Sequence, residues 1–270
     1  MIIDTHTHIF SDEHYSAYLA KAKGAIDRIL TIHLWHALED SGKSGYFSLD
    51  EFLAFVKTKK NLRAVGSMDM EKDVRSQLQK LEKFLKSGKI VGIKLYPGYQ
   101  YFYPSDKKVF PVAELCAKYN KPLIFHSGDF YDVKKTAVLK YSHPVYVDEL
   151  ATRYANCKII IAHFGFPYHL ETANVVSKNK NVFTDISGTI DEIGPKKAIG
   201  VLFSQYVNDL KRAFAYFPDV KAKTMFGTDY SGEKTTLNQV GPYIRLVENV
   251  WSKNERGRIF HDLAEKLFFS

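Results

Sequence analysis

Within its first eight residues the chain places an aspartate and two histidines at alternate positions, in the run Asp4-Thr5-His6-Thr7-His8. Met1-Ile2-Ile3 before them is apolar and reads as the start of a buried strand. Strand side chains alternate between faces, so this reading puts Asp4, His6 and His8 on one side. Two imidazoles two residues apart at a strand exit can share one metal ion, because neutral imidazole ligates zinc and its neighbours readily. Later segments add the same chemistry. His126 ends Pro122-Leu123-Ile124-Phe125, His163 ends Ile159-Ile160-Ile161-Ala162, and Asp229 ends Met225-Phe226-Gly227-Thr228. Three apolar runs ending in histidine, with a last one ending in aspartate, supply the donor types of a divalent-metal site. Such an ion lowers the pKa of a bound water from 15.7 to about 7. A neighbouring His or Asp that handles the proton contributes about 10²–10⁴-fold in rate.

The elements that must position these residues follow from the pattern of apolar runs. Strands are predicted over 1–8, 26–35, 62–68, 90–97, 122–126, 158–163, 182–187 and 223–229. Between them, Ser48-Leu49-Asp50-Glu51 is a capping box that opens a helix. Val74, Leu78, Leu81 and Leu85 form the apolar stripe of a second helix, over 71–86. Further helices are expected over 109–119, 145–154, 167–178 (with Pro167 in the first turn), 196–214, 241–250 and 255–268. The polar stretch Ser11 to Gly24 reads as a loop with a short helix. Continuous apolar strands suit a parallel sheet buried on both faces. Eight strand–helix units in 270 residues predict an α/β fold, a (β/α)₈ TIM barrel forming a single domain over 1–270. A doubly wound open sheet is the alternative, but no Gly-x-Gly-x-x-Gly follows the first strand. Functional residues of a barrel lie at the C-terminal strand ends, here His6 and His8, His33, Asp69, Lys94, His126, His163, Asp185 and Asp229.

Composition narrows the classes. A hydrophobic content of 45% with 25% charged residues supplies a sizeable core. No apolar run reaches the length of a membrane span, and no basic-then-apolar leader opens the chain. Cys116 and Cys157 fall in apolar segments and read as reduced core residues, so a cytoplasmic location is expected. The net charge of +8 comes from lysines scattered in short pairs such as Lys59-Lys60, Lys107-Lys108 and Lys134-Lys135. Nucleic-acid recognition calls for basic residues gathered on one face, so a mild attraction for anionic small molecules is the better reading.

Five stretches carry a resemblance to a known family: Ile3-Asp4-Thr5-His6-Thr7-His8, Gly92-Ile93-Lys94-Leu95-Tyr96-Pro97, Leu123-Ile124-Phe125-His126-Ser127-Gly128, Ile161-Ala162-His163-Phe164-Gly165 and Phe226-Gly227-Thr228-Asp229-Tyr230. In this order, and across nearly the whole chain, they resemble the amidohydrolase superfamily. Within it they are similar to the amidohydrolase-2 branch of metal-dependent hydrolases and aminocarboxymuconate semialdehyde decarboxylase-like enzymes. The resemblance implies metal ligation by His6, His8, His126 and Asp229, with Asp229 also accepting a proton from the attacking water. It implies a catalytic role for His163, either polarising the substrate or shuttling a proton. The implied cofactor is one divalent ion, zinc first and manganese second. Lys94 would remain an amine and hold an anionic group of the substrate, rather than be carboxylated and bridge two metals.

Hydrolysis of a small amide, ester or lactone is therefore the leading expectation. Non-oxidative decarboxylation of an aromatic or unsaturated acid is the alternative. All eight arginines fall away from the C-terminal strand ends, which favours hydrolysis, because a decarboxylase must hold a carboxylate. A non-enzymatic barrel and a metal-dependent nuclease rank lower. The expected partner is a small molecule, with no membrane and no nucleic acid, and a homo-oligomer is left open. His33, His36, His143, His169 and His261 belong to no family stretch and read as packing or surface residues, with pocket lining the alternative for His33 and His169. Tyr99 to Tyr103 is read either as a lid for a flat substrate or as a small satellite core.

Overall fold

Eight apolar runs that cannot face water pair side by side in chain order, all parallel. They are β1 (Ile3–Thr7), β2 (Arg28–Ile32), β3 (Leu62–Ser67), β4 (Ile90–Leu95), β5 (Leu123–Phe125), β6 (Ile159–Ile161), β7 (Val182–Asp185) and β8 (Thr224–Met225). The computed structural model describes residues 1–34, 48–130, 136–190, 196–231 and 240–269. His36, the end of the second predicted strand and the Lys134-Lys135 pair lie outside the described residues. All eight expected strands are present, trimmed at their ends. The fold is a (β/α)₈ barrel.

The last strand returns to the first. Thr5 N–H donates to the Phe226 carbonyl at 3.0 Å, Asp229 N–H to that of His6 at 2.7 Å, and His8 N–H to that of Tyr230 at 2.6 Å. Because β8 has only two residues, the stretch 226–230 completes most of this seam. Asp4 stitches it further. Its buried carboxylate accepts from Tyr18 Oη (2.8 Å), Thr228 Oγ1 (2.6 Å), Thr228 N (3.1 Å) and His6 N (3.2 Å).

Between the strands lie α1 (Asp12–Ala22), α2 (Leu49–Lys57), α3 (Val74–Lys86), α4 (Phe110–Lys118), α5 (Leu139–Ser142), α6 (Val147–Arg153), α7 (His169–Lys178), α8 (Lys196–Tyr216) and α9 (Val240–Val250). The capping box at Ser48 and Glu51 starts α2 as expected. Two local readings are corrected. Ser11 to Gly24 is mostly one helix, because Ser11 caps it by accepting from His14 N and acidic residues fill its first turn. Pro167 lies ahead of α7, which opens only at His169.

The core has two layers. Residues such as Ile29, Phe52, Leu62, Ile93 and Phe125 fill the space between strands and helices. Ile3, Leu30, Val65, Val91, Ile124, Ile160 and Met225 point into the bore, where Leu263, Ala264, Leu267 and Phe268 meet them. Those four come from the helical segment 256–269, which includes wider, π-type turns over Arg258–Asp262 and Glu265–Phe269. Lys121 and Lys158, just ahead of β5 and β6, donate to its Phe268 and Lys266 carbonyls. The terminal helix therefore plugs the N-terminal mouth and leaves the bore open to chemistry only at the C-terminal end.

Two strands break the alternation. In β1, Asp4 pairs with Ile29 and Thr7 with Thr31, so three steps on β1 match two on β2. In β4, Ile90 pairs with Ala64 and Ile93 with Gly66, again with one extra residue. A bulge of this kind switches which side chains face inward. The reading that Asp4, His6 and His8 share a face is thus overturned. Asp4 turns outward to Tyr18 of α1, while His6 and His8 turn into the bore. The β4 bulge likewise keeps both Val91 and Lys94 inside.

Removing the Asp4 carboxylate orphans four donors, and each buried unmet donor costs about 1–3 kcal/mol. Asp4→Ala should lower unfolding stability by at least about 3 kcal/mol, and Asp4→Asn, which keeps one acceptor oxygen, by less. Urea titrations of both variants check this, and an Asp4→Ala midpoint equal to that of the parent would contradict it.

Candidate metal centre and active site

β1, β4, β6, β7 and the segment after β8 deliver a buried polar cluster to the C-terminal mouth. His6 and His8 converge on Asp229, with Nε2 atoms 3.5 and 3.1 Å from its Oδ1. Lys94 Nζ lies 3.2 Å from His6 Nε2. His6, His163 and Asp185 form a second set that shares His6. His126 is not in either set: its Nε2 faces the Asp129 carbonyl at 3.0 Å, and its ring stands 5.0 Å from that of His163.

The outer nitrogen of each imidazole decides what the inner one offers. His8 Nδ1 sits 3.0 Å from the Ile32 carbonyl, which can only accept, so Nδ1 carries the hydrogen. His6 Nδ1 sits 3.1 Å from Asp185 Oδ2 and is protonated for the same reason. With the hydrogen on Nδ1, Nε2 is the nitrogen that each ring turns toward Asp229 Oδ1, and His6 Nε2 also faces Lys94 Nζ. That oxygen is buried and receives no hydrogen bond. Two imidazole nitrogens gathered on an unmet carboxylate oxygen are a donor set of the kind that suits a divalent metal. The residues present fit such an ion.

Charge supports the same conclusion. Burial alone would raise the Asp229 carboxyl, but the imidazoles of His163, His8 and His6 outweigh it and hold Asp229 below the usual carboxylate range. Asp185 is held down in the same way, against its burial, by His6 and His163 and by the Ser187 hydroxyl. Burial lowers His163 to about 3, against the pull of Asp229 and Asp185, so its ring is neutral at pH 7. Burial also depresses His6, and it takes His126 well below its ordinary value. Lys94, fully buried, is lowered by desolvation to about 8, although Asp185 and Asp229 pull the other way. At pH 7 two carboxylates then face one ammonium across a set of neutral rings.

The backbone is bent to achieve this. His163 (φ 61°), Phe164 (φ 46°) and Asp229 (φ 62°) all sit in the left-handed region. For residues with a Cβ this is a strained conformation, and such strain gathers at functional sites. Gly188 (φ 73°) packs so closely that a Cβ there would come 2.5 Å from His163 Nδ1 and 3.1 Å from Asp229 Oδ2.

Several roles were not assigned from sequence. Asp185 was seen only as a strand end, yet it receives His6 Nδ1, His163 N (3.1 Å), Ser187 N (3.0 Å) and the Ser187 hydroxyl. Asp69, also at a strand end, serves the loop after β4 by accepting from Gln100 Nε2 at 2.8 Å. That loop brings Tyr99 to 5.0 Å from the His126 ring, and Phe130 stacks on the same ring at 5.1 Å. His33 is buried against Ser67 and Phe52. His169 is buried among Phe164, Phe166 and Tyr206. Cys116 and Cys157 are buried and unbridged. Among the described residues no helix is long and apolar enough to cross a membrane.

A family profile described as Amidohydrolase matches residues 3–269. No curated protein sequence matches the chain. The probable 2-pyrone-4,6-dicarboxylic acid hydrolase of Acinetobacter baumannii, solved with citric acid bound, superposes with a TM-score of 0.64 at 15% identity, covering 100% of this chain and 99% of that one. An amidohydrolase of Burkholderia multivorans with bound zinc gives 0.66 at 15% identity, covering 100% and 99%. The 5-carboxyvanillate decarboxylase of Novosphingobium aromaticivorans, complexed with manganese and 4-hydroxy-3-methoxy-5-nitrobenzoic acid, gives 0.60 at 14%, covering 97% and 81%. At these identities the likeness is one of fold.

Buried neutral histidines make the protein acid-sensitive. Their folded pKa lies below the ordinary 6.5, so as pH falls the unfolded chain takes up protons first. Their contribution is complete above about pH 6.5 and drains away below it, and that of Asp185 and Asp229 is lost as pH falls further. Asp4, which burial raises to about 7, works the other way and favours the folded protein as pH falls. The urea midpoint of chelator-treated Asp4→Asn protein, which lacks that group, should therefore fall steadily from pH 7 to 4, and a flat profile there would rule out buried neutral rings. Gly188→Ala should cost more than about 1 kcal/mol, because alanine is strained at positive φ. It should also displace His163, which a crystal structure of the variant would reveal.

Proposed function

The chain belongs to the amidohydrolase family, and on that premise we propose that the C-terminal mouth of its barrel is the active site of a metal-dependent hydrolase. The substrate is a small amide, ester or lactone carrying an anionic group. The observation that carries this reading is the unmet Asp229 Oδ1 facing the Nε2 atoms of His6 and His8. These three residues would hold one divalent ion, zinc by preference and manganese second. His126, after β5 across the barrel mouth, would be the fourth donor. A metal in this position supplies Lewis acidity and lowers the pKa of a water molecule.

The remaining roles fall to the chain's own side chains. Asp229 is ionised and can accept the proton of the attacking water. His163 is neutral and can relay that proton to the leaving group. Lys94, buried at the mouth, offers its ammonium to the substrate's anionic group, and its low pKa of about 8 makes that grip weaken as pH rises above it. Tyr99 and Phe130, beside His126, form an aromatic wall suited to a flat substrate.

Decarboxylation of an aromatic or unsaturated acid is the second reading, favoured by that wall and by Lys94 as a carboxylate anchor. Against it, every described arginine lies away from the strand C-termini. Arg28 opens β2, Arg63 is in β3 near its start, and the others lie on helices.

Elemental analysis of the purified protein beside His8→Ala and His126→Ala variants tests the site. About one equivalent of zinc or manganese, lost in His8→Ala, is expected, and loss in His126→Ala as well would make His126 a ligand. No bound metal after reconstitution would sink the proposal. Lys94→Met should raise KM for anionic substrates at least about tenfold while leaving neutral ones little changed, as expected for loss of a charge-assisted bond of about 1.5–3 kcal/mol. Following CO₂ release against simple water addition, over a panel of lactones, esters, amides and aromatic acids, separates the two reactions.

A further inference from the structure

Asp185 accepts from four donors: the His6 ring, the backbone N–H groups of His163 and Ser187, and the Ser187 hydroxyl. A carboxylate with four donors aimed at it is ionised and can only accept. The single hydrogen of the Ser187 hydroxyl is therefore spent on Asp185. The oxygen that remains lies 3.0 Å from His163 Nδ1 and can only act as an acceptor toward it. The hydrogen in that contact belongs to His163 Nδ1.

The surroundings leave Nδ1 little choice of partner. Gly188 backs against this nitrogen so closely that even a methyl group would collide with it. The left-handed backbone at His163, with its N–H tied to Asp185, aims the ring edge at Ser187. On its other side the ring is flanked by those of His6, at 4.7 Å, and His126, at 5.0 Å.

We propose that Ser187 is a positioning residue that holds His163 in the tautomer with hydrogen on Nδ1, so that Nε2 enters the reaction as a bare acceptor. This deepens the proposed function and rests on the reading of the barrel mouth as its active site. It also decides between the two roles open to His163. A ring without hydrogen on Nε2 cannot polarise a substrate carbonyl by donating to it from that atom. It can take a proton: the carboxyl O–H bond that Asp229 forms on accepting the proton of the attacking water breaks, an Nε2–H bond forms, Asp229 returns to carboxylate, and the ring becomes imidazolium with Nδ1–H still donated to Ser187. The positive charge is then stabilised by Asp185 through the serine hydroxyl. The same proton later leaves Nε2 for the departing group, which restores the neutral ring. Ser187 is not a nucleophile in this arrangement, because its hydrogen points to Asp185 and not to a base.

The tautomer can be read without substrate or activity. In ¹⁵N-histidine-labelled, metal-free protein at pH 7, long-range ¹⁵N–¹H spectra distinguish a protonated, pyrrole-type nitrogen from a bare, pyridine-type one. The His163 signals are assigned by their loss in His163→Gln. The expected result is a pyrrole-type Nδ1 and a pyridine-type Nε2, with that pattern lost or averaged in Ser187→Ala and restored in Ser187→Thr. A pyridine-type Nδ1 in the parent protein overturns the proposal without any variant. An unchanged pattern in folded Ser187→Ala overturns it as well. If Ser187→Ala fails to fold, the parent spectrum and Ser187→Thr decide. Metal content is measured on the same samples, so a protein that binds no metal but shows the Nδ1–H tautomer would sink the hydrolase reading and leave this one standing.

Discussion

A parallel barrel closes only if its first strand pairs with its last, and here the last strand is almost too short to do so. β8 has two residues. The seam is made instead by the irregular stretch 226–230, held to β1 by backbone hydrogen bonds and by the Asp4 carboxylate on Thr228. That same stretch delivers Asp229, and β1 delivers His6 and His8. Closure of the fold and assembly of the donor set are therefore one event. The terminal helix contributes from the opposite end, where Leu267 and Phe268 plug the bore and confine chemistry to the C-terminal mouth.

Once the seam is closed, Asp185 organises what faces it. One ionised carboxylate orients His6 through its ring and His163 through its backbone and through Ser187. His8 is oriented separately, by the Ile32 carbonyl. Partners of this kind fix the tautomer of a ligating or catalytic histidine and raise its basicity. The rings thus arrive with the correct nitrogen bare, and little reorganisation remains for the moment of binding.

Much of this was legible in the sequence, for physical reasons. Runs such as Ile159-Ile160-Ile161 are too apolar to be anything but buried, and their regular alternation with helical stretches leaves few folds to choose from. Histidines at the ends of such runs are costly unless used, so His6, His8, His126 and His163 stood out. Side-chain direction was not legible. An alternating pattern assumes an unbroken pleat, and the bulges in β1 and β4 are set by pairing with β2 and β3, which no local window contains. Gly92, inside the β4 irregularity, was the one available signal. Asp185 read only as one strand end among several, and Ser187 carried no role, because their importance lies in what they hold, and a carboxylate before Ser-Gly at a strand end is commonplace.

The left-handed backbone at His163 and Asp229 carries a consequence for how such a barrel can evolve. An L-residue with a Cβ at positive φ gives up part of the free energy that glycine, or to a lesser extent asparagine, would recover at the same place. Selection for sturdiness alone would push these positions away from the residues they hold. Their presence in that conformation sets stability and chemistry in opposition at single sites, and a lineage released from the need for activity would drift toward a firmer, silent barrel.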